Sequence, residues 1–322
     1  MTGMEPGLDT AGNYLRFARL EAAGRSPAYE ALALAVAGDG LVLRYLESLP
    51  DQKRQPNLLF AAARYLLGGV PTPVALRSLV AEQEDRLAQV MLERRTQTNE
   101  PARCATILPA LCRFPQPLAL IEVGASAGLT LLFDRYSYDY DGKVLSGADP
   151  AAPTLRCHLE AELALPDRTP EVAWRLGIDV NPLDPSDDDD VRWLECLIWP
   201  GEEGRLDRLH SAVAAARRHP VPVRRGDLVD DLVGAVSEAP GSAATVVVFH
   251  TAVLPYVEES RRAAFADLVG RLGVVWLSNE GPGVLPWVEA PTLRHGFVLV
   301  QDGRTVLAET DPHGTWLRWM AS

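Results

Sequence analysis

ALIEVGASAGLT, residues 119–130, admits two readings that lead to different folds. In the first, Gly124-Ala125-Ser126-Ala127-Gly128 is a G-x-S-x-G turn in which Ser126 is a nucleophile raised between a strand and a helix. In the second, an apolar strand ends at Glu122, and a small-residue loop passes close to a nucleotide-like ligand. The chain on either side decides between them.

Upstream, the sequence reads as helices only. NYLRFARLEAAG, PAYEALALAVAG, NLLFAAARYLLGG and VALRSLVAEQEDRLAQVMLERR repeat apolar residues at three and four positions, with Pro and Gly at the joints. A serine-hydrolase elbow follows a central strand and needs a backbone oxyanion donor from an earlier strand-to-helix loop. Neither is present before residue 117. Glu122 adds a further objection, because an unpaired carboxylate at the end of an apolar strand costs on the order of several kcal/mol. It is tolerable where donors from the protein or a ligand meet it, which is what the ligand-loop reading supplies. The elbow reading stays as the alternative, with Ser126 as nucleophile and His250 or His295 as its base.

Downstream, PLALIEVG, VAWRLGIDV, VPVRRGD, TVVVFHT, GVVWLSNE and GFVLVQ are short apolar or β-branched runs. LTLLFDRYS, VRWLECLIW, RLDRLHSAVAAARR and SRRAAFADLVGRL carry helical spacing between them, so the pattern predicts a parallel α/β sheet. FVLVQDGRTVLAETD turns through Asp302-Gly303, a hairpin signal that predicts an antiparallel edge. Residues 139–170 fit neither pattern and read as an insertion with a short strand, TLRCHLEAEL. The ends of the predicted strands carry polar residues, and ligands of open α/β sheets bind there.

Glu122-Val123-Gly124-Ala125-Ser126-Ala127-Gly128 resembles the acidic residue, apolar residue and G-x-G-x-G of class I, Rossmann-like S-adenosylmethionine-dependent methyltransferases, with Ser126 in place of the middle glycine. A dinucleotide fingerprint would need glycine at 126 and 129, where the chain has Ser126 and Leu129. The resemblance implies that Glu122, Gly124, Ala125, Ser126 and Gly128 bind the cofactor. It implies that Asp179 of GIDVN, with Asn181, meets the ribose, a role Asp139 or Asp141 of YSYDYDG would fill less well. Asp227 of RRGD takes the position facing adenine. His250 stands where the superfamily keeps its catalytic loop, either as an acceptor-facing base or as a satisfied strand-end histidine. Asn279 and Glu280 are candidate substrate-facing residues on the next strand. Taken with DRYSYDY, VVFHTAVLPY, WLSNEGP and the TQTNEPARC segment, the pattern most closely resembles the bacterial family called domain of unknown function 2332. That narrower likeness implies a methyltransferase-like fold and no particular reaction.

The expected architecture is therefore an all-helical domain over residues 1–115 and a Rossmann-like methyltransferase domain over 116–322, mostly parallel, with the hairpin at its C-terminal edge. The expected function is methyl transfer from S-adenosylmethionine to a small molecule, with a non-catalytic cofactor-binding protein as a further alternative.

The remaining features are consistent with that expectation. A net charge of −12, from 31 basic and 43 acidic residues, disfavours nucleic acid and anionic membrane as partners. Cys104, Cys112, Cys157 and Cys196 show no paired or metal-ligand spacing, so reduced thiols, a cytoplasmic location and no metal site are expected. Asp187–Asp190 read as the acidic cap of a helix starting near Val191, with Ser186 or Asp187 as N-cap. Asn99, before Pro101, is either a helix cap or part of a segment folded over the ligand. Tyr136, Tyr138 and Tyr140 form one face of a strand or a cleft wall. Trp174, Trp193, Trp199 and Trp276 read as core.

Overall fold

The computed structural model describes residues 9–289 and 296–321, so His295 lies outside the described residues. The chain divides into two compact units, one of residues 1–98 and 187–207, the other of residues 99–186 and 208–322.

The first unit is helical. It holds α1 (Thr10–Arg16), α2 (Pro27–Gly38), α3 (Gly40–Ser48), α4 (Pro56–Leu67), α5 (Pro73–Glu82) and α6 (Glu84–Glu93). The predicted helices are present, although VALRSLVAEQEDRLAQVMLERR breaks into two at Gln83, and α3 went unread. Pro27, Pro56 and Pro73 each start a helix where a missing N–H leaves no bond unmade. Tyr14, Phe17, Tyr29, Phe60 and Trp199 form its aromatic centre. The returning segment carries a further helix, which takes its place in chain order after α7 (Arg103–Leu111) of the second unit and is therefore α8 (Asp188–Leu197). Asp187 is the N-cap of α8 and accepts from Asp189 N at 2.8 Å. Asp190 and Asp189 pair with Arg94, so the acidic run serves as a helix start and an ion-pair site. α9 (Glu203–Arg218) begins in this unit.

The second unit is built on a nine-stranded sheet. Among the described residues its strands are β1 (Leu118–Val123), β2 (Ser137–Tyr140), β3 (Lys143–Leu145), β4 (Thr154–Arg156), β5 (His158–Leu159), β6 (Val172–Asp179), β7 (Val223–Arg225), β8 (Thr245–Thr251), β9 (Val275–Glu280), β10 (Phe297–Gln301), β11 (Thr305–Thr310) and β12 (Trp316–Trp319). The large sheet runs β5-β12-β11-β10-β9-β8-β1-β6-β7, and β3-β2-β4 form a small second sheet. Strands β7, β6, β1, β8 and β9 are mutually parallel, while β10, β11 and β12 alternate in direction. Every strand predicted from the apolar runs is present. One face of the sheet buries Ile121, Val123, Ile178 and Val248 against α10 (Leu232–Glu238) and α11 (Glu259–Arg271). On the opposite face Phe249 packs edge-on against Phe133.

The structure departs from the sequence pattern in several places. The Asp302-Gly303 hairpin joins β10 to β11 but is not the edge, because β12 and then β5 extend the sheet beyond it. The strand expected at TLRCHLEAEL is two short strands that serve different sheets, broken at Cys157. LTLLFDRYS is not a helix: Leu129–Leu131 make one 3₁₀ turn, and Leu129–Phe133 are all buried. Burial on every side leaves no wet face for an amphipathic helix, and the chain enters β2 instead. The helical segment before β1 also divides, since α7 belongs to the second unit.

The turn after β11 packs on the start of α7. Gly314 has φ +79°, and a Cβ there would overlap the carbonyl of Ala102. Gly314→Ala therefore combines left-handed strain with a backbone clash and should cost more than about 2 kcal/mol. Urea unfolding should show a lower midpoint at unchanged slope; an unchanged midpoint would contradict this packing.

Candidate functional site

The chain leaves β1 for β6 on one side and later returns as β8 on the other, so the strand order reverses at β1. In open α/β sheets the crevice beyond such a reversal is the usual ligand position. Glu122 lies there, in register with Gly177 of β6 and Phe249 of β8, and is 1% exposed. Thr130 donates to its Oε1, while Oε2 has no hydrogen-bond partner among the described residues. Burial pushes its carboxyl up to about 8; the Thr130 hydrogen bond and the Arg103 charge oppose this, and the charge of Asp179 adds to it.

The loop after Glu122 is a tight coil with left-handed residues at Gly124, Ser126 and Gly128. Its amides turn inward. Gly124 N and Ala125 N donate to Ile178 O at 2.8 and 3.3 Å, and Gly128 N donates to Ala125 O at 2.7 Å. Ser126 N donates to Asp179 Oδ2 at 2.8 Å. Leu129 N donates to Asn99 Oδ1 at 2.9 Å. The expected supply of amides from a following helix is therefore absent, since the 3₁₀ turn replaces that helix. A Cβ built on Gly124 would overlap both γ-methyls of Val253, so that side chain lies directly over the loop. Ala252, just before it, is also left-handed, at φ +58°.

Asp179 ends β6 next to β1, whereas Asp139 lies in the small sheet and accepts from Gly142 N at 2.8 Å. The two oxygens of Asp179 accept from Ser126 N and, at 2.7 Å, from Asn181 N, so the carboxylate ties two loops together. Asp227 follows β7 and accepts from Val229 N at 2.7 Å while pairing with Arg261. Partial burial raises its carboxyl, but the amide bonds and Arg261 together hold it below its ordinary value.

Polar groups continue across the strand ends on the face of Glu122. Asn279 Nδ2 donates to Thr251 Oγ1 at 3.2 Å, and Thr310 Oγ1 donates to Asn279 Oδ1 at 2.7 Å. Arg103 Nη1 donates to Thr251 O at 3.4 Å and its Nε to Pro312 O at 2.8 Å. Glu100 accepts from Arg208 Nε at 2.7 Å and from Ala102 N at 3.2 Å. All of these side chains but that of Arg208 are buried. Asn99 does not cap α7, whose N-cap is Ala102; its side chain pins the 99–103 segment to the loop after β1. Tyr136, expected to face substrate, is fully buried and donates to Leu129 O at 2.7 Å.

His250 and Glu280 lie on the other face. Trp276 Nε1 donates to His250 Nε2 at 3.1 Å, and an indole N–H can only donate. His250 Nδ1 therefore carries the hydrogen and donates to Glu280 Oε1 at 2.7 Å. The ring is fully buried against Phe265 and Trp276. Both nitrogens are engaged, which is the arrangement of a satisfied core histidine. Glu280 Oε1 also accepts from Val253 N at 2.9 Å and Leu254 N at 3.3 Å.

Sequence reasoning missed Arg103, Thr130 and Val253. An arginine in the first turn of the otherwise apolar RCATILPAL was a readable signal. Val253 carried none, because its position depends on Glu280 from another strand. The four cysteines are free, and no group of His, Cys, Asp and Glu among the described residues is arranged to hold a metal. No helix among them is long and apolar enough to cross a membrane.

Fold and crevice thus define a mixed α/β protein with polar residues gathered at the carboxyl ends of a mostly parallel sheet. The chain belongs to the family described as "Uncharacterized protein conserved in bacteria (DUF2332)", whose model matches residues 11–319. No curated protein and no solved structure matches it.

Glu122 makes stability depend on pH in a defined direction. Its folded value of about 8 exceeds the ordinary 4.5, so the folded state holds a proton that the unfolded chain has lost between those limits. Stability from this group is full below about 4.5, falls as pH rises to about 8, and is level above. Glu122→Gln should match the wild type near pH 4 and exceed it near pH 8 by on the order of a few kcal/mol. Parallel stability curves from denaturant unfolding would contradict the assignment.

Proposed function

We propose that the protein binds S-adenosylmethionine in the crevice at the ends of β1, β6 and β8 and transfers its methyl group to a small-molecule acceptor. The order β7-β6-β1-β8-β9 supports this reading, because it is the doubly wound order of Rossmann-like nucleotide-binding sheets, with β1 as the first strand. Glu122 carries the proposal. It is a buried carboxyl at the end of that strand, and one oxygen has no partner among the described residues. The ligand's ammonium and ribose hydroxyls are donors, and the crevice offers acceptors, so the chemistry of the two sets matches.

In this reading Glu122 holds the amino-acid end, and a neighbouring ammonium keeps it ionised. Asp179 fixes the 124–128 loop and so shapes the wall beside the ribose. Val253 must swing off Gly124 for a ligand to approach the backbone there. The cofactor supplies a methyl group already activated as a sulfonium, so the chain's part is binding and in-line positioning. His250 is not assigned as the acceptor's base, because neither ring nitrogen has a lone pair to offer. The same two observations, Val253 over Gly124 and the engaged His250, favour a second reading in which the protein binds the cofactor without turnover. A serine hydrolase finds less support: a 3₁₀ turn follows Ser126, and His250 has no nitrogen left to activate it.

Calorimetry with S-adenosylmethionine, its demethylated product and NAD tests the proposal. The first two should bind and NAD should not. Gly124→Val should abolish binding, since a branched side chain blocks the backbone and disfavours φ above zero. Ser126→Ala should stay within a few-fold. Binding of NAD alone, or labelling of Ser126 by a fluorophosphonate, would overturn it.

A further inference from the structure

On the face away from Glu122, a cavity of about 20 Å³ is lined by Ser278, Glu280, Gly281, Leu285, Val298 and Val300, among others. Two polar atoms that line it have no hydrogen-bond partner among the described residues: Ser278 Oγ and Glu280 Oε2. Their residues are 1% and 2% exposed, and the nearby walls are apolar. A buried carboxylate oxygen left unpaired is costly, and Glu280 Oε1 is already taken by His250 and the amides of Val253 and Leu254. Ser278 and Glu280, two residues apart on β9, present their side chains on the same face, and one water bridges oxygens up to about 5–6 Å apart. The cavity also meets the requirement of about 10–15 Å³ for a single water.

We infer that this cavity is a binding site for one ordered water, which donates to Glu280 Oε2 and shares a hydrogen bond with Ser278 Oγ. The water completes the carboxylate that anchors the Ala252–Leu254 turn, and through it the position of Val253 over Gly124. The water site is separate from the proposed cofactor crevice and does not depend on what that crevice binds.

A crystal structure of the full chain should show one density peak within hydrogen-bond distance of both atoms; an empty cavity there would overturn the inference. Two substitutions give an independent reading in solution. Ser278→Val fills the cavity with methyl groups and expels the water, so the melting temperature should fall by a few degrees. Ser278→Ala keeps room for the water and should fall less. Hydrogen exchange at the Val253 and Leu254 amides should quicken in Ser278→Val more than in Ser278→Ala. A rise in melting temperature for Ser278→Val would mean a dry cavity, since filling one is stabilising, and the inference would fail.

Discussion

Glu122 lies fully buried at the end of a central strand, and the polar groups around the crevice are arranged about it. Strands on both sides of β1 exclude water, so the carboxyl depends on nearby donors or on its own proton. Thr130 supplies one donor, and Arg103 supplies positive charge from the start of α7. Asn99 holds both the loop amide at Leu129 and the segment that carries Arg103. The 99–103 segment, the 3₁₀ turn and β1 are thus mutually dependent, and moving one exposes or strands the polar groups of the others.

Three carboxylates at strand ends have different surroundings, and the contrast defines the site. Asp179 receives two backbone amides and locks the loops after β1 and β6 together. Glu280 receives two amides and a histidine, and locks the turn after β8. Glu122 receives no amide in these bonds. Glu122 and Glu280 each keep one oxygen without a partner among the described residues, Glu122 on the crevice face of the sheet and Glu280 on the other. His250, at a polar strand end that the sequence marks as a catalytic candidate, has both ring nitrogens engaged by Glu280 and Trp276.

The parallel α/β sheet was legible because its strands are short apolar runs, several closed by Gly, Asp, Asn or His and separated by helical spacing. The place of Asp179 at the end of a strand beside β1 was legible for the same reason, since GIDV closes an apolar strand end and YSYDYDG alternates. What failed was local. LTLLFDRYS has helical spacing, but its apolar residues are buried all round, so spacing said nothing about conformation. The sheet edge failed because β12 and β5 pair across more than 150 residues, and a two-residue strand has no pattern of its own. The hydrogen bonds of His250 to Trp276 and Glu280 were not legible, because they depend on the register of β8 with β9.

Glu122 is a buried carboxyl with one oxygen unpartnered among the described residues, and the proposed ligand would supply the missing donor. Carboxyl infrared difference spectroscopy, with Glu122→Gln as the reference, reads its titration directly. In the ligand-free protein the account predicts protonation with a midpoint of about 8, moving down when S-adenosylmethionine saturates the crevice. An ordinary carboxylate titration in the free protein, or a midpoint that saturation leaves in place, would contradict it.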